Sequence, residues 1–288
     1  MQLGTTLHHL AEQTERLSAL DNFAGPLART ADRAMRHGRL KQVLSGSWLG
    51  HPLHPLATDV VIGSWTMAAM LDLRHGTDSD DAAKTLVGVG VLAAIPTAAS
   101  GVSDWADTPD PGVRRMGLVH AASNVVALAL NAASYLARRS GRGTLGASLT
   151  RASGLPLTIG GFLGAHMAYA RGVGVSHTAF DERIAEWTPL DTEAPLGDHW
   201  DEARVHDLRV LAQVAEGQQA RVVSATCTHC GARLRPEPSG GLLRCPADDS
   251  LFRGEDGAVL EGPATTPIPR FEARLAGNGV EVRSAGAG

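Results

Sequence analysis

The sequence predicts two domains, an α-helical four-helix transmembrane bundle followed by a small all-β domain. Three observations carry this prediction. Residues 49–175 contain four apolar stretches, each close to the ~20 residues that a helix needs to cross a bilayer. The last third of the chain instead has short apolar runs separated by Gly and Pro, which is typical of β-strands. All three cysteines lie in that last third. We therefore expect domain boundaries at 1–48, 49–175, 176–200 and 201–284.

The composition excludes several classes of protein. The formal net charge of −4 argues against a nucleic-acid-binding protein, which would carry a basic surface. Charged residues make up 19% of the chain, which is too few for a disordered protein. Residues 1–16 are mixed polar and lack the long apolar core of a cleavable signal peptide. The chain is therefore expected to be folded and to keep its N-terminal residues.

Residues 1–48 have a different pattern from the bundle that follows them. Apolar and charged residues alternate at helical spacing over 6–20 and 27–44. Such a pattern predicts amphipathic helices that lie on the membrane surface.

The four expected membrane helices cover 49–71, 85–103, 116–137 and 152–170. The only formal charge within them is Asp59, and they are rich in Gly, Ala and Ser, which let membrane helices approach closely. The alternative is a buried, all-α soluble bundle. The charged and Pro/Gly-rich connections between four such runs favour the membrane. We expect a multi-pass protein of the inner (cytoplasmic) cell membrane.

The membrane orientation depends on basic residues beside the helices. Several arginines precede the first helix and favour a cytoplasmic N-terminus. An even number of crossings then places the C-terminal domain in the cytoplasm as well. Arg138, Arg139, Arg142 and Arg151 oppose this orientation, because it places their loop outside.

Successive membrane helices run in opposite directions, so alternate helix ends lie at the same membrane face. Several polar residues occur at the helix ends of one such face. These residues are His51, His54, Asp59, Asp104, His120, Asn124 and His166. Ionisable groups inside a membrane are costly and usually face a partner, a cavity or a cofactor. We expect either a site for haem b, a quinone or a metal, or a hydrogen-bond network that holds the helix ends.

The bundle also resembles a known family. The segments GSWLGHPLHPLATDVVIGSWTMAAMLDL, GVSDW and GGFLGAHMAYARGVGV are similar to an uncharacterised group of bacterial four-helix membrane domains, the domain of unknown function 2231. The resemblance covers about residues 45–176. It implies the membrane fold and supplies no catalytic residues.

The cysteines of the β domain point to metal or redox chemistry. An odd number of cysteines in one small region argues against a disulfide framework. They form the pattern Cys227-x-His229, then fifteen residues, then Cys245-x-x-Asp248. This pattern resembles a Rieske-type [2Fe–2S] domain, in which the second motif is normally Cys-x-x-His. The resemblance covers about residues 205–283.

The Rieske resemblance implies a ligand set and a function. Cys227 and Cys245 would bind one iron of a [2Fe–2S] cluster, while His229 and Asp248 would bind the other, with Asp248 in place of the usual second histidine. Other residues would support the loops around the cluster, namely Ser250, Gly262, Pro263 and Pro267. The protein would then transfer electrons to or from a redox partner protein or a quinone at the membrane.

Cys230 leaves other functions open. Cys227, Cys230, Cys245 and Asp248 have the spacing of a tetrahedral site for a single Zn or Fe ion, which would make the domain a membrane-anchored binding or structural module. A degenerate, metal-free domain is a further alternative. A Rieske oxygenase is not expected, because it needs an additional 2-His-1-carboxylate iron domain.

Overall fold

In a computed structural model of the chain, the described residues are 3–35, 38–74, 77–214, 219–277 and 279–286. The chain divides into two compact units. The first comprises Met1–His37 and Leu53–Gly174, and the second comprises Gly38–Pro52 and Val175–Gly288. The first is helical, whereas the second contains all the β-strands in the described part of the chain.

The described residues form seven α-helices, whereas four membrane helices and two amphipathic N-terminal helices were expected. Four long helices do occupy the expected region, and three shorter ones precede them. The helices are α1 (Leu3–Arg16), α2 (Asp21–Met35), α3 (Arg39–Ser45), α4 (Leu53–Leu71), α5 (Thr77–Ala106), α6 (Pro111–Arg139) and α7 (Gly143–Arg171). The first long helix begins at Leu53 rather than at residue 49, because Gly46 and Gly50 adopt positive φ on either side of a 3₁₀ turn.

Two of the described helices are long and apolar enough to cross a membrane, by length and composition. They are Ser79–Ala106, with a mean hydropathy of 1.7, and Pro111–Arg139, with a mean hydropathy of 1.4. The helices α4 and α7, which we also expected to cross, do not meet this criterion.

The long helices pack closely because glycines accept large side chains from their neighbours. A Cβ atom on Gly90 would overlap the ring of Trp65, and one on Gly117 would overlap the ring of Trp105. Small residues allow this approach, as is typical of membrane helix pairs.

A buried polar seam joins α6 to α7. The Asn131 amide donates a hydrogen bond to Ser153 Oγ at 2.8 Å, and the hydroxyls of Ser134 and Thr150 are 2.8 Å apart. All four side chains are buried. Interhelical hydrogen bonds of this kind contribute to helix association in a bilayer, where the hydrophobic effect between helices is weak.

The buried side chain of Arg138 lies next to this polar seam and hydrogen-bonds Ser134. The guanidinium of Arg138 is fully buried and contacts both carboxylate oxygens of Asp72 at 2.7 Å, and it also pairs with Asp80. Buried charges in membrane proteins are tolerated when they are paired in this way.

The β domain consists of two antiparallel sheets. Its strands are β1 (Thr188–Pro189), β2 (Asp201–Val205), β3 (Leu208–Val214), β4 (Ala220–Ser224), β5 (Arg235–Pro236), β6 (Leu242–Arg244), β7 (Leu251–Arg253), β8 (Val259–Glu261), β9 (Arg270–Ala276) and β10 (Gly279–Ser284). The larger sheet has the order β1-β10-β9-β4-β3-β2, and the smaller one has the order β5-β6-β7-β8.

The β domain has two apolar cores. Val205, Val210, Val222 and Val282 are buried on the larger sheet. The second core combines residues of both sheets and of the loops beside them, and contains Leu211, Leu234, Leu243, Phe252, Cys227 and Cys245. Two of the three cysteines, Cys227 and Cys245, therefore lie in the apolar environment of the second core.

Segments outside the expected β boundaries also belong to this unit. Within 176–200, expected as a linker, Ile184 and Trp200 are buried in the two cores. Residues 38–52, expected to belong to the N-terminal helices and the first membrane helix, contact the loop after β8: a Cβ on Gly262 would lie 2.8 Å from Ser47 Cβ. These assignments depend on tertiary contacts rather than on local pattern.

Candidate metal centre

Two loops with the same backbone hydrogen bonds form the centre. Loop 1 (residues 227–232) follows β4, and loop 2 (residues 245–250) connects β6 to β7. In loop 1 the Cys227 amide donates to the Ala232 carbonyl at 2.8 Å, and in loop 2 the Cys245 amide donates to the Ser250 carbonyl at 2.8 Å. The first residue of each loop is therefore held in the same way.

The fifth residues of the two loops are also equivalent. Gly231 donates its amide to the Cys227 carbonyl at 2.9 Å, and Asp249 donates to the Cys245 carbonyl at 3.0 Å. Both have positive φ, 73° for Gly231 and 63° for Asp249, a conformation that Gly adopts freely and that Asp tolerates better than most residues. The fourth residues, which precede them, are consequently placed alike.

The loops bring four possible ligand atoms together. The sulfur atoms of Cys227, Cys230 and Cys245 and a carboxylate oxygen of Asp248 all lie within 4.8 Å of one another. Cys230 Sγ is 3.4 Å from Cys245 Sγ, and Asp248 Oδ2 is 3.5 Å from Cys227 Sγ. The predicted residues of both motifs are therefore neighbours in space.

His229 joins this group from its outer side. Its Nδ1 lies 2.8 Å from Asp248 Oδ2, while the Ser250 amide donates to Asp248 Oδ1 at 2.9 Å. The side chains of His229 and Asp248 are 26% and 10% exposed, whereas Cys227 and Cys245 are fully buried. The centre thus has a deep thiol side and a more accessible imidazole–carboxylate side.

The three neighbouring thiols differ in their pKa values. Hydrogen bonds from Cys227 and Cys230 lower the pKa of Cys245 to about 4. Hydrogen bonds with the other two thiols, together with burial, raise the pKa of Cys227. The bond with Cys227 lowers the pKa of Cys230, but the bond with Cys245 and burial outweigh it and raise that pKa to about 12. A bound cation would ionise the remaining thiols, so metal binding releases protons here.

The carboxyl of Asp248 stays ionised in this setting. Burial raises its pKa, but the hydrogen bonds from His229 and from the Ser250 amide outweigh burial and hold the pKa below the ordinary value. An ionised carboxylate is the form that binds a metal.

The predicted supporting residues lie around loop 2. Ser250 is fully buried, and its hydroxyl accepts the amide of Ala264 at 3.0 Å. Gly262 and Pro263 are joined by a cis peptide bond, with Gly262 half-buried and Pro263 buried. Pro267 is exposed.

His177 is a neighbour of the centre that the sequence did not indicate. Its amide donates to the Thr228 carbonyl at 2.9 Å, and a Cβ on Gly231 would lie 2.8 Å from its ring nitrogen Nδ1. Because His177 precedes loop 1 by about fifty residues and has no motif around it, only the tertiary structure shows this contact.

The structure brings together two of the histidines expected in the bundle. His54 Nδ1 lies 2.9 Å from the Thr97 carbonyl, and His120 Nδ1 lies 2.8 Å from the Gly160 carbonyl. The two rings are 6.4 Å apart and nearly perpendicular. Asn124 adds a hydrogen bond to His120 Nε2 at 3.0 Å.

The other bundle residues lie elsewhere. His166 is buried against the rings of His8 and Phe162. Asp59 is exposed on α4, and Asp104 is half-buried near the end of α5. His51 is exposed in the segment 38–52, which belongs to the β unit.

Comparison with known proteins identifies both domains. Residues 50–177 match the family model described as "Predicted membrane protein (DUF2231)". Residues 187–272 match the model of the Rieske [2Fe-2S] domain. Both matches agree with the resemblances in the sequence.

Two individual proteins are each similar to a part of this chain. A carotenoid phi-ring synthase of Chlorobaculum tepidum is 43% identical over 51 residues, which are 18% of this chain and 8% of that protein. The crystal structure of the plasma membrane Rieske protein PetC3 from Synechocystis PCC 6803 is 26% identical, with a TM-score of 0.27 over 30% of this chain and 86% of that one. The chain thus spans a small part of the first protein's length. The chain therefore combines a DUF2231 membrane domain with a Rieske [2Fe–2S] domain.

Proposed function

We propose that this protein is a membrane-bound Rieske-type iron–sulfur protein that transfers electrons. The observation that carries the proposal is the pairing of residues in the two loops. Cys227 and Cys245 are buried at the first position of each loop, while His229 Nδ1 and Asp248 Oδ2 are 2.8 Å apart on the more exposed side.

These residues fit a [2Fe–2S] cluster with one inner and one outer iron. Cys227 and Cys245 would hold the inner iron, and His229 and Asp248 would hold the outer one. The bound cluster would supply reversible one-electron exchange. Asp248 adds a negative charge where the family has a neutral imidazole, and this charge stabilises the oxidised state and lowers the reduction potential.

The partly exposed side chain of His229 marks the side from which electrons would enter and leave. Its side chain is 26% exposed, whereas both thiols are fully buried. A redox partner protein or a quinone would exchange electrons on this side.

The membrane domain would place the protein in the inner cell membrane as a multi-pass protein, with the C-terminal domain in the cytoplasm. Two apolar helices and the basic residues that precede α4 support this arrangement.

Haem b in the membrane domain stays a prediction from the sequence, although His54 and His120 both make contacts within the bundle. The rings of His54 and His120 are already bonded through Nδ1 to backbone carbonyls of neighbouring helices. Their Cε1 atoms lie 2.7 Å and 3.1 Å from where a Cβ of Gly101 or Gly164 would be, so both rings fill helix contacts.

Iron and sulfide analysis of the full chain, purified anaerobically in detergent, tests the proposal. We expect two irons and two sulfides per chain, and visible absorption that bleaches on reduction with dithionite. Cys245→Ala should abolish both, whereas Cys230→Ser should retain them. A wild-type protein without sulfide under these conditions would refute the proposal.

A further inference from the structure

Cys230 is the group of the centre that the cluster does not use. A Rieske-type cluster needs Cys227, Cys245, His229 and Asp248, yet Cys230 Sγ lies 3.4 Å from Cys245 Sγ. It is half-buried at the fourth position of loop 1, so it is a part of the centre rather than an exposed surface thiol.

The equivalence of the two loops explains its position. Each loop has a cysteine first and a residue with positive φ fifth, and the same two backbone hydrogen bonds close each loop. The fourth residues, Cys230 and Asp248, are thus counterparts. The first and fourth positions together supply three thiols and one carboxylate to one point.

The distances suit a single tetrahedral ion. Ligand atoms bound to Zn²⁺ at 2.0–2.3 Å in a tetrahedron are roughly 3.3–3.8 Å apart. The Cys230–Cys245 sulfur separation of 3.4 Å and the Cys227 Sγ–Asp248 Oδ2 separation of 3.5 Å fall in this range. All four ligand atoms lie within 4.8 Å of one another. The longest of these separations would have to shorten modestly for all four atoms to bind one ion.

The surroundings resemble the outer shell of a metal site. His229 Nδ1 and the Ser250 amide hydrogen-bond the two oxygens of Asp248, at 2.8 Å and 2.9 Å. Hydrogen bonds of this type orient a ligating carboxylate. Apolar residues enclose the thiols, namely Ala225, Leu234, Leu243 and Ile268.

We propose that Cys227, Cys230, Cys245 and Asp248 form a second, mononuclear site that binds one Zn²⁺ in place of the [2Fe–2S] cluster. In this state His229 is an outer-shell partner of Asp248 rather than a ligand. This inference goes beyond the proposed function, although both use the same loops. Because Cys227, Cys245 and Asp248 serve both states, bound zinc excludes the cluster and stops electron transfer.

Two substitutions separate the two states. Cys230→Ser removes a zinc ligand but no cluster ligand, and His229→Gln removes a cluster ligand but only an outer-shell partner of zinc. Zinc binding to the metal-free full chain in detergent is measured by competition with a chelator, and Co²⁺ absorption reports tetrahedral thiolate ligation.

We expect wild type to bind one Zn²⁺ per chain. Cys230→Ser should weaken zinc binding by more than about 100-fold, whereas His229→Gln should weaken it by no more than the 10- to 100-fold typical of outer-shell changes. Cys230→Asp, which copies the residue at the equivalent position of loop 2, should restore the tetrahedral Co²⁺ spectrum. This rescue distinguishes a lost ligand from a misfolded loop.

Three results would overturn the proposal: no tight zinc binding by wild type, equal binding by wild type and Cys230→Ser, or a loss in His229→Gln as large as in Cys230→Ser. Anaerobic reconstitution with iron and sulfide is a separate measurement on the same preparations. It tests the proposed electron-transfer function independently, because that function requires the cluster in wild type and in Cys230→Ser whatever the zinc result. Wild type already loaded with zinc should resist this reconstitution.

Discussion

Asp248 is the residue that most distinguishes this centre from the pattern with two histidines. Both of its oxygens are engaged, one by His229 and one by the Ser250 amide. A carboxylate is therefore held in a fixed orientation beside the imidazole. An anionic ligand on the outer iron favours the oxidised state over the reduced one.

Replacing this carboxylate should change the potential in a defined direction. Asp248→His exchanges an anionic ligand for a neutral one, so the reduction potential should rise, on the order of 100 mV. Redox titration followed by EPR measures the midpoint, with Asp249→Asn as a control that keeps the ligand set. A potential that is unchanged or lower in Asp248→His would mean that residue 248 does not bind the cluster.

Ser250 should stabilise the loop that carries Cys245 and Asp248. Its hydroxyl accepts the Ala264 amide in a fully buried position, and Ser250→Ala leaves that amide without a partner. The expected cost is about 1–3 kcal/mol of unfolding free energy. Denaturant unfolding of the full chain measures it, and the exposed Ser239→Ala should change stability little. Equal stabilities of the two variants would show that the bond is unimportant.

At this scale the sequence predicted the residues with strong local patterns and missed the others. The motifs around Cys227 and Cys245 were sufficient to predict neighbouring ligand atoms, because each motif fits within one short loop. The contact of His177 with Gly231 joins residues far apart in the chain, and no local pattern encodes it.

The helices were predictable in position but not in their ends. An apolar run at 85–103 predicted α5, but the helix extends over Thr77–Ala106. The apolar run did not include the first turns of the helix, because they are polar and carry Asp80 and Lys84. The start of α6 follows local chemistry: Asp110 Oδ1 accepts the Val113 amide at 2.8 Å, and proline occupies the first helical position. Hydrophobicity alone does not register these capping residues.

Two adjacent glycines of α7 test how the bundle is held together. A Cβ on Gly160 would lie 2.6 Å from Asn124 Oδ1, whereas a Cβ on Gly161 would meet no atom within 4 Å. Gly160→Val should therefore destabilise the protein by about 1–3 kcal/mol through overpacking, and Gly161→Val should not. Thermal unfolding in detergent compares them. If both variants unfold alike, close α6–α7 packing at Gly160 is not required.

The chain as a whole is less modular than its sequence pattern predicted. Residues 38–52 read as part of the helical region, but they belong to the unit that contains the β-strands. The contact of Ser47 with Gly262 joins that segment to the loop beside the metal centre. Long-range contacts of this kind determine which segments form a unit, and they leave no periodic signal in the sequence.

The proposed membrane orientation predicts the location of the C-terminus. A green fluorescent protein fused after Gly288 should be fluorescent, because it folds in the cytoplasm, and an alkaline phosphatase fused there should be inactive. The reverse pair of results would place the metal centre outside the cytoplasm. The loop that contains Arg142 would then face the cytoplasm.

In the proposed [2Fe–2S] cluster, the outer iron has one imidazole ligand, from His229, and one carboxylate ligand, from Asp248. Pulsed EPR of the reduced full chain tests this ligand set, because it detects nitrogen nuclei bound to the cluster. We expect an S = 1/2 signal with strong coupling to a single histidine nitrogen, and this coupling should be lost in His229→Gln. A signal coupled to two nitrogens, or the absence of any such signal in a protein that retains iron and sulfide, would contradict it.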